Sequence, residues 1–297
     1  MDIIGIIKAI ILGLVEGLTE FAPVSSTGHM IIVDDMWLQT QQLLASKYVA
    51  NTFKVVIQLG SILAVVVVFW KRFIDLLGLS RFLKGKGNHK LQSASEADHL
   101  ALTGQSGVNP PRLKLAQVIV GLIPAGILGT LTEDYIDEYL FSTSTVLIGL
   151  VLGAVLMIIA DRFGPKEPTV KTVDQITYKQ ALTIGLFQCF SVWPGFSRSG
   201  STISGGVLMG VSHRAAADFT FIMAVPIMVG ASGISLFKNL QYFTPEALPF
   251  FIAGFISAFV FALLSIRFFL KLINRIKLVP FAVYRILLAI VIWVVYF

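Results

Sequence analysis

Glu16 and Glu20 stand four residues apart in the stretch EGLTEFAPVSSTGH (16–29), and Ser26 and His29 follow three apart. Spacing of four puts both carboxylates on one helix face. The stretch is otherwise apolar, so two like charges there are costly. Three arrangements relieve them: protonation of one, pairing with a cationic side chain, or sharing of a metal ion. A divalent magnesium or calcium ion fits the third, because hard cations take carboxylate and phosphate oxygens together. One neutral glutamic acid in a polar contact is the plainer reading. Ser26 and His29 can share a face one turn apart, as a nucleophile and its acid–base partner. A capping serine and a hydrogen-bonded histidine read equally well.

A second cluster, PGFSRSGSTISGG (194–206), sets Arg198 between Ser197 and Ser199, with Thr202 four residues on. Guanidinium stays charged and can grip a phosphate with two parallel hydrogen bonds. Arg198 is also the one basic residue within either cluster, so it can pair with Glu20. Pro23 lacks an amide hydrogen and disfavours helix at Ala22, and Pro194 with Gly195 breaks the chain in the second cluster. Each break is followed by residues that restart a helix: Ser25 or Ser26 with Thr27 in the first, Ser197 with Ser199 in the second. A helix start inside a membrane offers free amides and a positive dipole end, which is a phosphate site. A simple kink is the alternative for either copy alone.

The two clusters resemble each other. A shift of 172 positions lays Gly13, Leu14, Ser25 and Gly28 on Gly185, Leu186, Ser197 and Gly200, with Glu16 on Gln188 and Thr27 on Ser199. Around them the chain is 56% hydrophobic and 13% charged over 297 residues, with mean hydropathy +0.82. A water-soluble surface is excluded by that balance. Apolar runs near 53–70, 113–131, 144–160, 217–237, 247–270 and 279–297 read as full spans. The expected fold is therefore an all-α polytopic membrane protein with six transmembrane helices and two broken, re-entrant helix pairs (3–38 and 176–211). It forms a single integral domain over 1–297.

Three spans follow each broken region, so the halves 1–160 and 176–297 are expected to run in inverted topology with their breaks meeting near the midplane. Loops 71–112, 161–180 and 271–278 carry fourteen Lys and Arg, against two in 34–52, 132–143 and 238–246. Those on the basic side should be cytoplasmic, including the polar loop 84–112, and both termini and the site's opening then face outward. The net charge of +6 is topogenic under this reading, and nucleic acid is not an expected partner. Cys189 is the single cysteine, so disulfides and cysteine metal sites are excluded. An apolar N-terminus carrying Asp2, Lys8 and Glu16 does not fit a cleaved signal peptide.

Taken together, the two clusters closely resemble the signatures of the bacitracin-resistance type of undecaprenyl-diphosphate phosphatase. The resemblance continues through FKVVIQLGSILAVVVVFW, FTFIMAVPIMVGA and PFAVYRILLAIVIW, and spares mainly the 84–112 loop. It implies hydrolysis of the polyprenyl diphosphate released outside by cell-wall synthesis, recycling of the monophosphate carrier for peptidoglycan, and resistance to bacitracin. It also implies a bacterial inner-membrane location and leaves room for a homodimer. Metal and catalytic roles pass to Glu16 and Glu20, and nucleophile or acid–base roles to Ser26 and His29. Phosphate binding passes to Ser197, Arg198, Ser199 and Thr202, beside Ser25 and Thr27 of the first break. Inverted repeats with broken helices are also a transporter plan, which keeps a transporter, or a lipid-phosphate binding protein, as the rival reading.

Overall fold

A computed structural model describes residues 3–40, 44, 47–79, 111–140, 142–239 and 245–297. Most of the polar loop 84–112 and part of the 34–52 connection lie outside them. Eleven α-helices account for nearly all of the described chain: α1 (Ile3–Thr19), α2 (Ser26–Val33), α3 (Lys47–Val68), α4 (Trp70–Leu76), α5 (Leu115–Tyr139), α6 (Thr143–Phe163), α7 (Tyr178–Gln188), α8 (Arg198–Leu208), α9 (His213–Asn239), α10 (Leu248–Ile276) and α11 (Val279–Tyr296). Among the described residues the only extended pairing is a single bridge between Val170 and Val211.

Five helices, α5, α6, α9, α10 and α11, are long and apolar enough to cross a membrane. The sixth expected span is a bent pair. Its apolar run turns by 80° between α3 and α4, at Phe69. Lys71, Arg72 and Asp75 follow the bend, and Arg72 Nη1 donates to Asp174 Oδ1 at 2.6 Å, fastening α4 to the 173–175 turn. Charged side chains thus leave the apolar layer as soon as the chain allows.

The short arms are held by close backbone approach. A Cβ on Gly13 of α1 would lie 2.3 Å from the carbonyl oxygen of Gly254, and one on Gly17 would lie 2.6 Å from that of Ala258. Small residues let α1 lie directly on α10. Ser257 and Ser265 then donate across the seam to the carbonyls of Ile10 and Leu18 at 2.8 and 2.9 Å. On the other arm, a Cβ on Gly185 of α7 would lie only 2.2 Å from the Gly121 carbonyl oxygen of α5. Each arm therefore rests on a long helix of the opposite half of the chain. At the far end of α6, Asp161 accepts from His213 at 2.7 Å and from the amides of Leu278 and Val279 at 2.8 and 2.9 Å, closing the start of α11.

Candidate active site

Two interruptions build the site. α1 ends at Thr19, and a turn over 20–24 carries the chain past Pro23 to Ser25. Ser25 has φ 74°, ψ 91°, and its hydroxyl accepts from the Gly28 amide at 3.3 Å to start α2. α7 gives way to a short 3₁₀ turn over Cys189–Val192, and the chain bends at Gly195, φ 90°. Ser197 then has φ 78°, ψ 116°, and accepts from the Gly200 amide at 3.1 Å to start α8. Both caps occupy a backbone region that non-glycine residues rarely visit. Of the two serines proposed as the first cap, Ser25 is the one used, which leaves Ser26 as the first residue of α2 with its hydroxyl available.

The tips touch. Ser199 donates to the Ala22 carbonyl at 3.1 Å, and Arg198 Nη2 bonds Glu20 Oε1 at 2.8 Å. Arg198 Nη1 reaches the Thr220 carbonyl at 3.1 Å, so two of its five donors are engaged. The other oxygen of Glu20 accepts from the Ser26 hydroxyl. Behind the pair, Phe21 is completely buried edge-on to Phe221, with ring centroids 5.0 Å apart. A chain of contacts Ser26, Glu20, Arg198 thus crosses from one break to the other.

His29 makes no hydrogen bond to Ser26. Its Nδ1 lies 2.7 Å from the Ser25 carbonyl and its Nε2 lies 2.7 Å from the Tyr284 hydroxyl of α11. Thr202 is fully buried, donating to the Arg198 carbonyl at 2.8 Å and accepting from Thr220 at 2.8 Å, so its hydroxyl braces α8. Thr27 is half-buried on the first turn of α2, and Ser197 lies 3.3 Å from Ser199.

Glu16 is completely buried with both carboxylate oxygens lacking a hydrogen-bond partner, and Gln188, its counterpart in the second arm, is in the same state. An orphaned buried carboxylate is costly. It suits a hard cation that completes its shell with phosphate oxygens, which is the common arrangement for magnesium. No group of three His, Cys, Asp or Glu side chains gathers among the described residues, and Glu16 is the carboxylate whose oxygens are left open to a cation. Glu20 offers less, because Ser26 and Arg198 already hold its oxygens.

Arg285 was not singled out from the sequence, although an ionisable residue inside an apolar helix is itself a signal. Completely buried, it donates through Nη2 to the carbonyls of Gly195, Phe196 and Gly149 at 2.8, 2.9 and 3.1 Å, and Nη1 lies 3.5 Å from the Pro23 carbonyl. One guanidinium therefore pins both breaks and α6. Tyr284, beside it, had no motif to reveal it.

Comparison with known proteins bears on the whole chain. The family model described as "Bacitracin resistance protein BacA" matches residues 9–291. A Geobacillus sp. (strain WCH70) protein named undecaprenyl-diphosphatase is 73% identical over 297 residues, covering 100% of each chain. The protein of the same name from Bacillus subtilis (strain 168) is 58% identical over 283 residues, 95% of each chain. With the match running through both breaks and every long helix, the chain belongs to the bacitracin resistance protein BacA family.

Proposed function

We propose that this chain hydrolyses undecaprenyl diphosphate to undecaprenyl phosphate and inorganic phosphate, with Ser26 attacking and Glu20 accepting its proton. The overall reaction rests on full-length relatives named undecaprenyl-diphosphatase. The role of Ser26 rests on one observation, that its hydroxyl donates to a carboxylate ion-paired with Arg198 of the other break. Recycling of the lipid carrier for peptidoglycan and bacitracin resistance follow from that activity.

In the first step Ser26 Oγ bonds to the terminal phosphorus as its proton passes to Glu20. The bridging P–O bond breaks, and polyprenyl phosphate leaves with the electron pair. Arg198 has donors to spare for the transferred oxygens, and the starts of α2 and α8 present amides to the same charge. Substrate phosphate competes with Glu20 for Arg198, so binding frees the carboxylate to act as a base. Glu16 would hold a magnesium or calcium ion together with phosphate oxygens, and that ion would supply neutralisation of charge as the anhydride breaks. Water then cleaves the phosphoserine and releases phosphate.

The halves run in inverted topology in this reading, supported by the matched caps Ser25 and Ser197 and by each arm resting on a helix of the other half. The basic loops support an opening on the outer face of the cytoplasmic membrane, where the diphosphate is released. Acid quench during turnover in detergent, without a gradient, tests the chemistry. An acid-stable phosphoserine at Ser26, absent in Ser26→Ala, supports it. An acid-labile adduct lost in His29→Ala makes His29 the nucleophile, and no phosphate release in detergent leaves a transporter or binding protein.

A further inference from the structure

The stretch FTFIMAVPIMVGA (219–231) of α9 has a single polar side chain, Thr220, and it is completely buried. A buried hydroxyl is costly unless it is hydrogen-bonded, so its partners show what it serves. Its neighbour Phe221 fixes the level of α9 against the first break. The Phe221 ring lies 5.0 Å from that of Phe21, 6.4 Å from that of Phe69 at the α3–α4 bend and 5.9 Å from that of Phe269 in α10. Packing on this side leaves α9 little room to slide.

Thr220 joins the same turn of α9 to the second break. Its hydroxyl donates to Thr202 Oγ1 at 2.8 Å, and Thr202 in turn donates to the Arg198 carbonyl at 2.8 Å. The direction is fixed, because a carbonyl can only accept and takes the one hydrogen of Thr202. The Arg198 side chain then returns to α9, where Nη1 donates to the Thr220 carbonyl at 3.1 Å. Three hydrogen bonds thus close a ring that holds Arg198 by its backbone and by its guanidinium.

The two partners of the guanidinium differ in kind. Glu20, on Nη2, is the charged partner that substrate phosphate displaces. The Thr220 carbonyl is neutral, belongs to a packed helix and stays in place. Without it, an arginine released by Glu20 regains the rotamer freedom of its long stem. We infer that Thr220 is a positioning residue for Arg198. Its hydroxyl sets the first turn of α8 on α9, so that its carbonyl keeps Nη1 while Nη2 passes from Glu20 to phosphate. This rests on the reading of Arg198 as a phosphate-binding residue.

Thr220→Val keeps the branched shape and loses the hydroxyl, leaving Thr202 without its buried donor. Such a loss should lower kcat/KM about tenfold. Affinity for inorganic phosphate should fall by a similar factor, read without turnover as the rise in unfolding temperature with added phosphate in detergent. Thr220→Ser puts the hydroxyl back and should recover most of both losses, which a role in packing alone would not predict. Arg198→Lys, measured alongside, should also bind phosphate more weakly than wild type. Wild-type kcat/KM and phosphate affinity in Thr220→Val overturn the role of Thr220 and leave that of Arg198 standing. Equal losses in the valine and serine variants also overturn it, because shape rather than the hydroxyl then matters. Unchanged phosphate affinity in Arg198→Lys overturns the reading of Arg198, and the inference with it.

Discussion

Ser25 and Ser197, 172 positions apart, adopt the same unusual backbone, φ 74° and 78°, and each caps the glycine three residues ahead. Such conformations cost on the order of 1–3 kcal/mol each and survive only where the surroundings over-determine them. Here the surroundings are the opposed tip and the Arg285 clamp. Alanine at either position keeps the strain and loses the cap, whereas glycine relieves the strain and loses only part of the capping. Ser25→Ala and Ser197→Ala should therefore each destabilise by about 0.5–2 kcal/mol, and the glycine variants by less. Thermal unfolding in detergent checks the order. Glycine variants less stable than alanine would mean that the serine conformations are not strained.

Glu16 lies on α1 and Glu20 just past its end, they meet different neighbours, and their variants should separate. Glu20→Gln removes the proton acceptor and the charge facing Arg198, so turnover should fall by about 10²–10⁴ at saturating metal. Glu16→Gln touches no hydrogen bond in the structure and should mainly raise the metal concentration needed for half-maximal rate. Metal titrations of both variants decide it. An unchanged metal requirement in Glu16→Gln would place the cation elsewhere.

Arg198 is partly buried and Arg285 completely so, and they should respond differently to lysine. Arg198→Lys keeps charge near Glu20 but loses the fork that spans phosphate oxygens, so the protein should fold while turnover nearly disappears. Arg285→Lys replaces a planar donor set by one ammonium, leaving several of its four carbonyl acceptors unmet. Its first symptom should be loss of stability. Comparing unfolding temperature with rate for the two variants tests the contrast.

Asp174 lies in the turn over 173–175, outside the spans. Burial works against its charge, but hydrogen bonds from Arg72 and the Leu113 amide outweigh it and hold the carboxyl below its usual range. A carboxyl lowered by folding adds stability above its unfolded pKa, and the contribution disappears as pH falls through the folded value. Asp174→Asn should therefore be less thermostable than wild type at neutral pH. The gap should close below about pH 4. A gap that stays constant into acid would show that the carboxylate's charge is not what fastens α4.

What the sequence revealed of this site is what leaves a local residue signature. Pro23, Pro194 and the serines mark both breaks, and Glu20 and Arg198 are the opposite charges that an apolar setting forces together. Tyr284 has no such signature, and the charge of Arg285 inside an apolar run marks the residue without naming what it binds. Their partners lie far along the chain, Tyr284 meeting His29 across 255 residues, and Arg285 binds backbone carbonyls, which every residue type supplies equally. The same limit hid the bend at Phe69, where neither proline nor glycine interrupts the run. The relation of Ser26 to His29 was left open by their spacing because α2 begins at Ser26, and the carbonyl of Ser25 competes for the imidazole.

Gly149 offers a test of how the second tip is aimed, since it belongs to α6 and contributes no side chain to the chemistry. A Cβ there would lie 2.3 Å from the Pro194 carbonyl and 3.0 Å from the Phe196 amide, both backbone atoms that cannot rotate away. Gly149→Ala should push the 194–196 turn outward and carry Ser197 and Arg198 with it. Misplacement of about 1 Å can cost about 10² in rate. Expected, then, is a fall of that order in kcat/KM with binding of inorganic phosphate also weakened, while the helices still assemble. Gly126→Ala in α5, where a Cβ meets nothing within 4 Å, is the control and should leave both measurements unchanged. If Gly149→Ala retains full activity, the second break is not held against α6 as tightly as the structure shows, and Arg198 must be aimed by its contacts with Glu20 and Thr220 alone.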